Sequence, residues 1–118
     1  WDFRILRGVS TPEEQNKLYQ QGRTIKGFKV TNCDGFKKKS NHQIKFNGLG
    51  YAVDIGVIVN RVYKGTLQDF HYYQDIYNIA KNSELLQKYN IEWGGNCWRT
   101  FKDAPHWQIK GADKISFK

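Results

Sequence analysis

The run Tyr51-Ala52-Val53-Asp54-Ile55-Gly56-Val57-Ile58-Val59 constrains this chain most. It is rich in β-branched residues and reads as a central strand. One carboxylate, Asp54, stands near its start, and an unpaired charge is costly in an apolar strand. A lysine partner would offset that cost, and so would a metal ion.

The other elements must be arranged around this strand. Phe3 to Leu6 reads as a short strand or extended lead-in. Thr11-Pro12-Glu13-Glu14 starts a helix: Thr11 caps, Pro12 suits the first helical position and Glu14 completes a capping box. That helix runs through Leu18 and Tyr19 to a stop at Gly22. Phe28 to Thr31 alternates as a half-buried strand would, and Asn32 to Gly50 is loop. A second helix starts near Thr66, with Phe70, Tyr73, Ile76, Tyr77 and Ala80 on one face. Ser83 is expected to cap a short third helix ending around Asn90. Strands follow at Ile91–Trp93 and His106–Lys110, with a turn region at Gly94-Gly95. No βαβ rhythm is present, so the expected class is α+β, a small antiparallel sheet flanked by helices.

A length of 118 residues suits a single domain, 1–118, with one modest core. With 39% hydrophobic and 25% charged residues, the composition excludes a disordered chain. No apolar run approaches the roughly 20 residues needed to cross a bilayer, so no membrane insertion is expected. There is no secretory apolar region and no Met, which leads us to expect a processed product or an excised domain. The net charge of +8 favours anionic partners, among them wall polymers, nucleic acids and acidic peptides. Its densest piece, Lys37-Lys38-Lys39, reads as a solvated loop. Cys33 and Cys97 lack metal-site spacing and leave a disulfide, ligation or packed thiols open, with thiols the default.

Two segments carry the chemistry. Ser40-Asn41-His42 is followed, after a glycine-containing loop, by Gly50-Tyr51-Ala52-Val53-Asp54. Trp93-Gly94-Gly95 is followed by Asp103-Ala104-Pro105-His106-Trp107-Gln108. Each contributes a His with an Asp near it. A hydrolytic zinc takes three protein ligands and leaves a fourth position for water, whose pKa it lowers to about 7. A second carboxylate, off the metal, must then move the proton to the leaving group. Asp103, three residues before His106 and with Pro105 fixing the backbone between them, suits that task. Each His alone is a weak signal, and the joint pattern carries the reading. His71, among Phe70, Tyr72 and Tyr73, is assigned to the surface or core edge.

Together these segments closely resemble the M15 metallopeptidases, nearest the L-alanyl-D-glutamate peptidases of phage endolysins and bacterial wall enzymes. D-Ala-D-Ala dipeptidases and carboxypeptidases are more distant relatives. The resemblance runs from about Phe3 to Ile109 and implies a hedgehog/DD-peptidase-like fold. It implies His42, Asp54 and His106 as ligands of Zn2+ and Asp103 as general base. Ser40 would orient the first His loop, and Trp93, Gly94 and Gly95 would floor the substrate groove. Gln108 and Trp107 lie on the final strand, where a structural role is at least as fitting as substrate contact.

Two departures from the family pattern stand out. His42 and Asp54 are twelve residues apart, a longer interval than in the family's shorter signature, with the extra residues in the Gln43–Leu49 loop. Ser10 occupies the place of an arginine that would polarise the scissile carbonyl or hold a substrate carboxylate. Arg23 is the expected stand-in, with Arg7 as a second candidate.

The implied function is hydrolysis of the peptide stem of peptidoglycan, at L-Ala–D-Glu or in the D,D-carboxypeptidase manner. It would be carried out by a monomer at the bacterial cell wall, reached by phage-type release from the cytoplasm or by secretion. The rival reading is a zinc-binding pseudo-enzyme or wall-binding module of the same fold, favoured by Ser10 and disfavoured by an intact Asp103. Nucleic-acid binding has only net charge and aromatics behind it and no motif, so no nucleic acid is expected.

Overall fold

The computed structural model describes residues 2–97 and 103–117. The side chain of Cys97 lies outside the described residues, and Cys33 is a half-buried free thiol. Contacts divide the chain into two compact units: Trp1–Gly8 with Ala52–Gly111, and Val9–Tyr51 with Ala112–Lys118. The class is α+β, as the sequence indicates, with an antiparallel sheet and, among the described residues, four α-helices where the sequence suggests three.

The first unit holds the whole sheet. Its strands are β1 (Asp2–Arg7), β2 (Ala52–Val59), β3 (Val62–Lys64), β4 (Ile91–Trp93) and β5 (His106–Ile109). They run in the order β1-β2-β5-β4, with β3 paired to β2, and every pairing is antiparallel. Side chains alternate between the two faces of a strand. Ile55 and Val57 of β2, Trp93 of β4 and Trp107 of β5 therefore share one face and form the core with Tyr73. Asp54, His106, Gln108 and Glu92 share the other face. The central-strand reading of β2 holds.

Helix α2 (Phe70–Asn82) begins after a 3-10 turn at Leu67–Asp69, later than the start expected near Thr66, and lays Phe70, Tyr73, Ile76 and Tyr77 of its expected apolar stripe on that core. Phe70 and Tyr77 sit 5.3 and 5.0 Å, centroid to centroid, from the Trp93 ring, and Trp93 and Trp107 are 5.9 Å apart. The buried Tyr73 hydroxyl accepts from the Val57 N–H (3.2 Å) and donates to the Lys64 carbonyl (2.7 Å). This ties the helix to both strands of the β2–β3 hairpin.

That hairpin is absent from the sequence reading. Its turn places Asn60 and Arg61 at φ 49° and 66°, the left-handed pair that matches strand twist. The usual Asn-Gly signature is missing because Arg occupies the second position. Two further expectations are corrected. Ser83 does not cap helix α3 (Leu85–Lys88); it closes α2, its hydroxyl donating to the Ala80 carbonyl, while left-handed Glu84 precedes α3. Gly94-Gly95 is not a turn but the start of a short helix, α4 (Gly94–Cys97).

The second unit carries helix α1 (Pro12–Gln20). The capping box is present, with the Glu14 N–H donating to Thr11 Oγ1 and the Thr11 N–H to Glu14 Oε1, both at 3.1 Å. The helix ends at Gln20, two residues before Gly22, whose φ of +81° belongs to the turn that follows.

The expected strand at Phe28–Thr31 does not form. Its carbonyls are taken by side chains: Gln21 donates to Phe28 (2.9 Å) and Arg23 to Thr31 (3.2 Å). With no ladder beside it, Phe28 is left 91% exposed. The segment Ala112–Lys114 forms a 3-10 turn, and Phe117 then pairs with Lys45 in an isolated antiparallel bridge. Lys45 is fully buried; its Nζ donates to Asn41 Oδ1 (2.8 Å) and lies 3.5 Å from the Phe117 ring centroid. Burial pulls the Lys45 pKa below its ordinary value, against the opposing charge of Asp113. No helix among the described residues is long and apolar enough to cross a membrane.

Candidate functional site

The Ser40-Asn41-His42 segment is built as a braced turn. Ser40 Oγ accepts the His42 N–H (3.2 Å), and Gln43 Oε1 accepts the Ser40 N–H (2.9 Å). The His42 carbonyl accepts the Ser10 N–H, and the Asn41 carbonyl accepts the Tyr51 N–H, both at 2.9 Å. Asn41 also donates to Asp113 Oδ1 (2.7 Å). Ser40, Gln43 and Asn41 thus each tie this segment by hydrogen bonds. The sequence reading had assigned Gln43 and Asn41 no role, since loop amides carry no distinctive pattern.

Pairing within the sheet sets Asp54 directly across from His106. His106 Nδ1 lies 3.2 Å from Asp54 Oδ1, and its Nε2 lies 2.8 Å from Gln108 Oε1. On the other side of Asp54, β1 shifts register between Ile5 and Arg7. Such a bulge re-aims a side chain. Here Arg7 takes the position opposite Asp54, with Nε 3.4 Å from Oδ2. Burial of His106 disfavours its charged form. Hydrogen bonds to Asp54 and Gln108, with the charges of Asp54 and Asp103, outweigh that and raise its pKa above the usual imidazole value.

Asp103 is placed by a tight turn. Its carbonyl accepts the His106 N–H (3.1 Å), and its own N–H donates to the Gly94 carbonyl (3.0 Å). A Cβ on Gly94 would sit 2.6 Å from the Asp103 carbonyl oxygen, so only glycine permits this approach. A Cβ on Gly95 would meet the Trp93 indole at 2.3 Å. Trp93 itself is buried, its Nε1–H donating to the Ala104 carbonyl (2.7 Å), and it underlies an open cleft of about 530 Å³. Tyr77, Lys81, Glu92, Asn96 and Lys110 also line this cleft.

On the shared face of β2 and β5, Asp54 and His106 supply a carboxylate oxygen and an imidazole nitrogen of the kind that hold a metal ion, and His42 stands in the second unit. The donor set fits a divalent transition metal. With bonds of about 2.0–2.1 Å, neighbouring ligand atoms of a tetrahedral site are about 3.3 Å apart. The 3.2 Å between Asp54 Oδ1 and His106 Nδ1 matches that spacing.

The remaining candidates are placed as follows. Arg23 donates through Nη1 to the carbonyls of Tyr19 and Thr31, and its guanidinium lies 3.7 Å from the Tyr19 ring centroid. Ser10 is buried, and its Oγ finds no hydrogen-bond partner among the described residues. His71 is exposed, as expected, with Nδ1 3.2 Å from the Gln68 carbonyl.

A peptidase M15 family model, described as D-alanyl-D-alanine carboxypeptidase, matches residues 34–109. The chain is 32% identical over 108 residues to the peptidoglycan L-alanyl-D-glutamate endopeptidase CwlK of Bacillus subtilis. That alignment covers 92% of this chain, which spans 60% of the length of that relative. Among solved structures, the Serratia marcescens L-Ala D-Glu endopeptidase ChiX superposes with a TM-score of 0.62 at 23% identity. It covers 95% of this chain and 69% of its own, a likeness of fold.

Proposed function

This chain belongs to the M15 family of peptidases, and from that premise we propose that it hydrolyses the peptide stem of bacterial peptidoglycan at the L-Ala–D-Glu bond. The observation that carries the reading is the register that sets Asp54 directly across from His106, a pair that His42 would complete as a metal site. Residues 34–109, the part matched by the family, contain all three together with Asp103. Likeness to CwlK supports the choice of bond over D,D-carboxypeptidase cleavage. In this reading residues 1–118 act as one catalytic domain and as a monomer at the cell wall, without nucleic acid or membrane insertion. Delivery is by phage-type release or by secretion.

His42, Asp54 and His106 would hold Zn2+. A zinc ion so bound supplies Lewis acidity and a water acidified to a pKa of about 7. Asp103 serves as general base, taking a proton from the attacking water and returning it to the leaving amine. Its backbone is held by hydrogen bonds to the Gly94 carbonyl and from the His106 N–H. Trp93, Gly94 and Gly95 are assigned to the floor of the groove that takes the stem. Ser40 supports this arrangement by holding the His42 loop. Arg23 is assigned to the scissile carbonyl through Nη2, since Nη1 is committed to the backbone; Arg7, anchored on Asp54, is the alternative.

The test is Asp103→Asn, assayed by mass spectrometry of muropeptides released from purified wall with zinc supplied. Loss of cleavage with zinc binding retained is expected. Undiminished cleavage would remove Asp103 from the mechanism. A wild-type protein that binds zinc yet releases nothing would favour the pseudo-enzyme or wall-binding reading, which the absence of arginine at Ser10 makes the second choice.

A further inference from the structure

The loop after helix α1 turns apolar side chains to solvent. In Ile25-Lys26-Gly27-Phe28-Lys29-Val30, the exposures of Ile25, Phe28 and Val30 are 46%, 91% and 45%, and Lys26 and Lys29 are exposed between them. Single apolar residues scattered over a surface need no explanation, whereas a contiguous patch marks a contact site. Three such residues within six, interleaved with lysines, make a small patch of mixed character. Among the described residues, no carboxylate lies within ion-pairing distance of Lys26 or Lys29.

The backbone of this loop is held, so the exposure does not come from a slack segment. The Gly22 N–H donates to the Ile25 carbonyl (2.7 Å), and the Ile25 N–H donates to the Gln20 carbonyl (3.0 Å). Gln21 and Arg23 take the carbonyls of Phe28 and Thr31 on the return side. A Cβ on Gly22 would sit 2.7 Å from the Lys29 nitrogen, and one on Gly27 would sit 2.8 Å from Gln21 Cγ. Both glycines have positive φ, +81° and +143°, so the turns close only on residues without a side chain. The chain is thus folded tightly against the end of α1 and still leaves its one phenylalanine uncovered.

Charge selects what covers it. The unit that carries the loop, Val9–Tyr51 with Ala112–Lys118, holds ten Lys and Arg against four Asp and Glu, most of the net charge of +8. A second copy would set like charge against like. A soluble polyanion would meet the lysines and leave Phe28 in water. A layer of anionic lipid headgroups meets both needs, because its phosphates face the ammonium groups and its acyl boundary takes the apolar side chains. Lysine stems lie along such a boundary with their charge at headgroup level. We propose that this loop docks the protein on a bilayer surface of anionic phospholipid, with Phe28 as anchor and Lys26 and Lys29 on the headgroups. Docking here is shallow adsorption, not a membrane span, and it stands independently of the proposed hydrolysis.

The experiment sediments the full chain with vesicles of phosphatidylglycerol and phosphatidylcholine, or of phosphatidylcholine alone, at about 0.15 M salt. Wild type should pellet with the anionic vesicles only. A lysine near an anionic surface contributes about fivefold, so Lys26→Gln/Lys29→Gln should weaken binding about 25-fold. Phe28→Ala should weaken it about 10-fold. Its melting temperature should stay at the wild-type value, because the ring is almost wholly exposed. Ile79→Ala, which trims an exposed apolar residue of α2, should bind as wild type does. Absence of wild type from the anionic pellet, equal binding to phosphatidylcholine, or equal effects of Phe28→Ala and Ile79→Ala would overturn the proposal. Binding that survives Phe28→Ala and is displaced by soluble glycerol phosphate polymer would overturn it in favour of a polyanion. A wild-type dimer in vesicle-free solution that Phe28→Ala dissociates would overturn it in favour of a second copy.

Discussion

Gly94→Ala isolates the contact that places Asp103. The added methyl would lie 2.6 Å from the Asp103 carbonyl oxygen and 3.2 Å from the Cβ atoms of Asp103 and His106. Ordinary contact begins near 3.4 Å, so the Asp103 backbone must retreat by about 0.8 Å. The atom that must move is a rigid carbonyl that also accepts the His106 N–H, so strain reaches the proposed base and a proposed metal ligand together. Overpacking of this kind costs about 1–3 kcal/mol. Misplacing a reacting group by about 1 Å costs up to about 10²-fold in rate. We therefore expect urea unfolding to register a loss of about 1–3 kcal/mol and stem-peptide hydrolysis to fall about 10- to 100-fold. Gly8→Ala is the control, because its Cβ would meet nothing within 4 Å. Its stability should stay within about 0.5 kcal/mol of wild type. A Gly94→Ala protein with wild-type turnover would refute the packing argument.

Other outcomes follow from the same geometry. Tyr73→Phe removes the hydroxyl shared by Val57 and Lys64 and should cost about 1–3 kcal/mol in denaturant unfolding. A change under a few tenths would mean that water replaces it. Phe117→Ala uncovers the buried Lys45 ammonium, whose cation–π contact is worth about 2 kcal/mol when desolvated. A lowered melting temperature is expected, and an unchanged one would deny the C-terminal segment a role in bracing the His42 loop. In chelator-treated protein, burial opposes the charge on His106, but Asp54, Gln108 and Asp103 raise its pKa above 6.5. A folded pKa above the unfolded one gives stability that is full below the unfolded value and lost as pH rises through the folded one. The stability difference between wild type and His106→Gln should therefore shrink as pH climbs through that window. A difference that grows with pH would contradict the assignment.

Much of this was legible in the sequence because local rules and tertiary demands agree. The Thr11 capping box, the β-branched run of β2 and the apolar stripe of α2 each specify an element without help from the rest of the chain. The two His/Asp segments were readable for a different reason: metal and base chemistry demands particular residue types in order. Where the reading failed, tertiary partners overrode a local pattern. Phe28–Thr31 alternates like a strand, yet side chains from around α1 take its carbonyls and no neighbouring strand is supplied. The Asn60-Arg61 hairpin lacks the glycine that would announce it. Gln108 and Glu92 were illegible as a pair, because only the register of β4 against β5 brings them together.

The most direct test of the account is digestion of purified peptidoglycan by metal-free protein, with and without one equivalent of zinc, followed by chemical labelling of new amino termini. The account predicts label on glutamate when zinc is present and none in its absence. Stoichiometric zinc binding with no new amino terminus, or cleavage that proceeds equally in chelator, would contradict it.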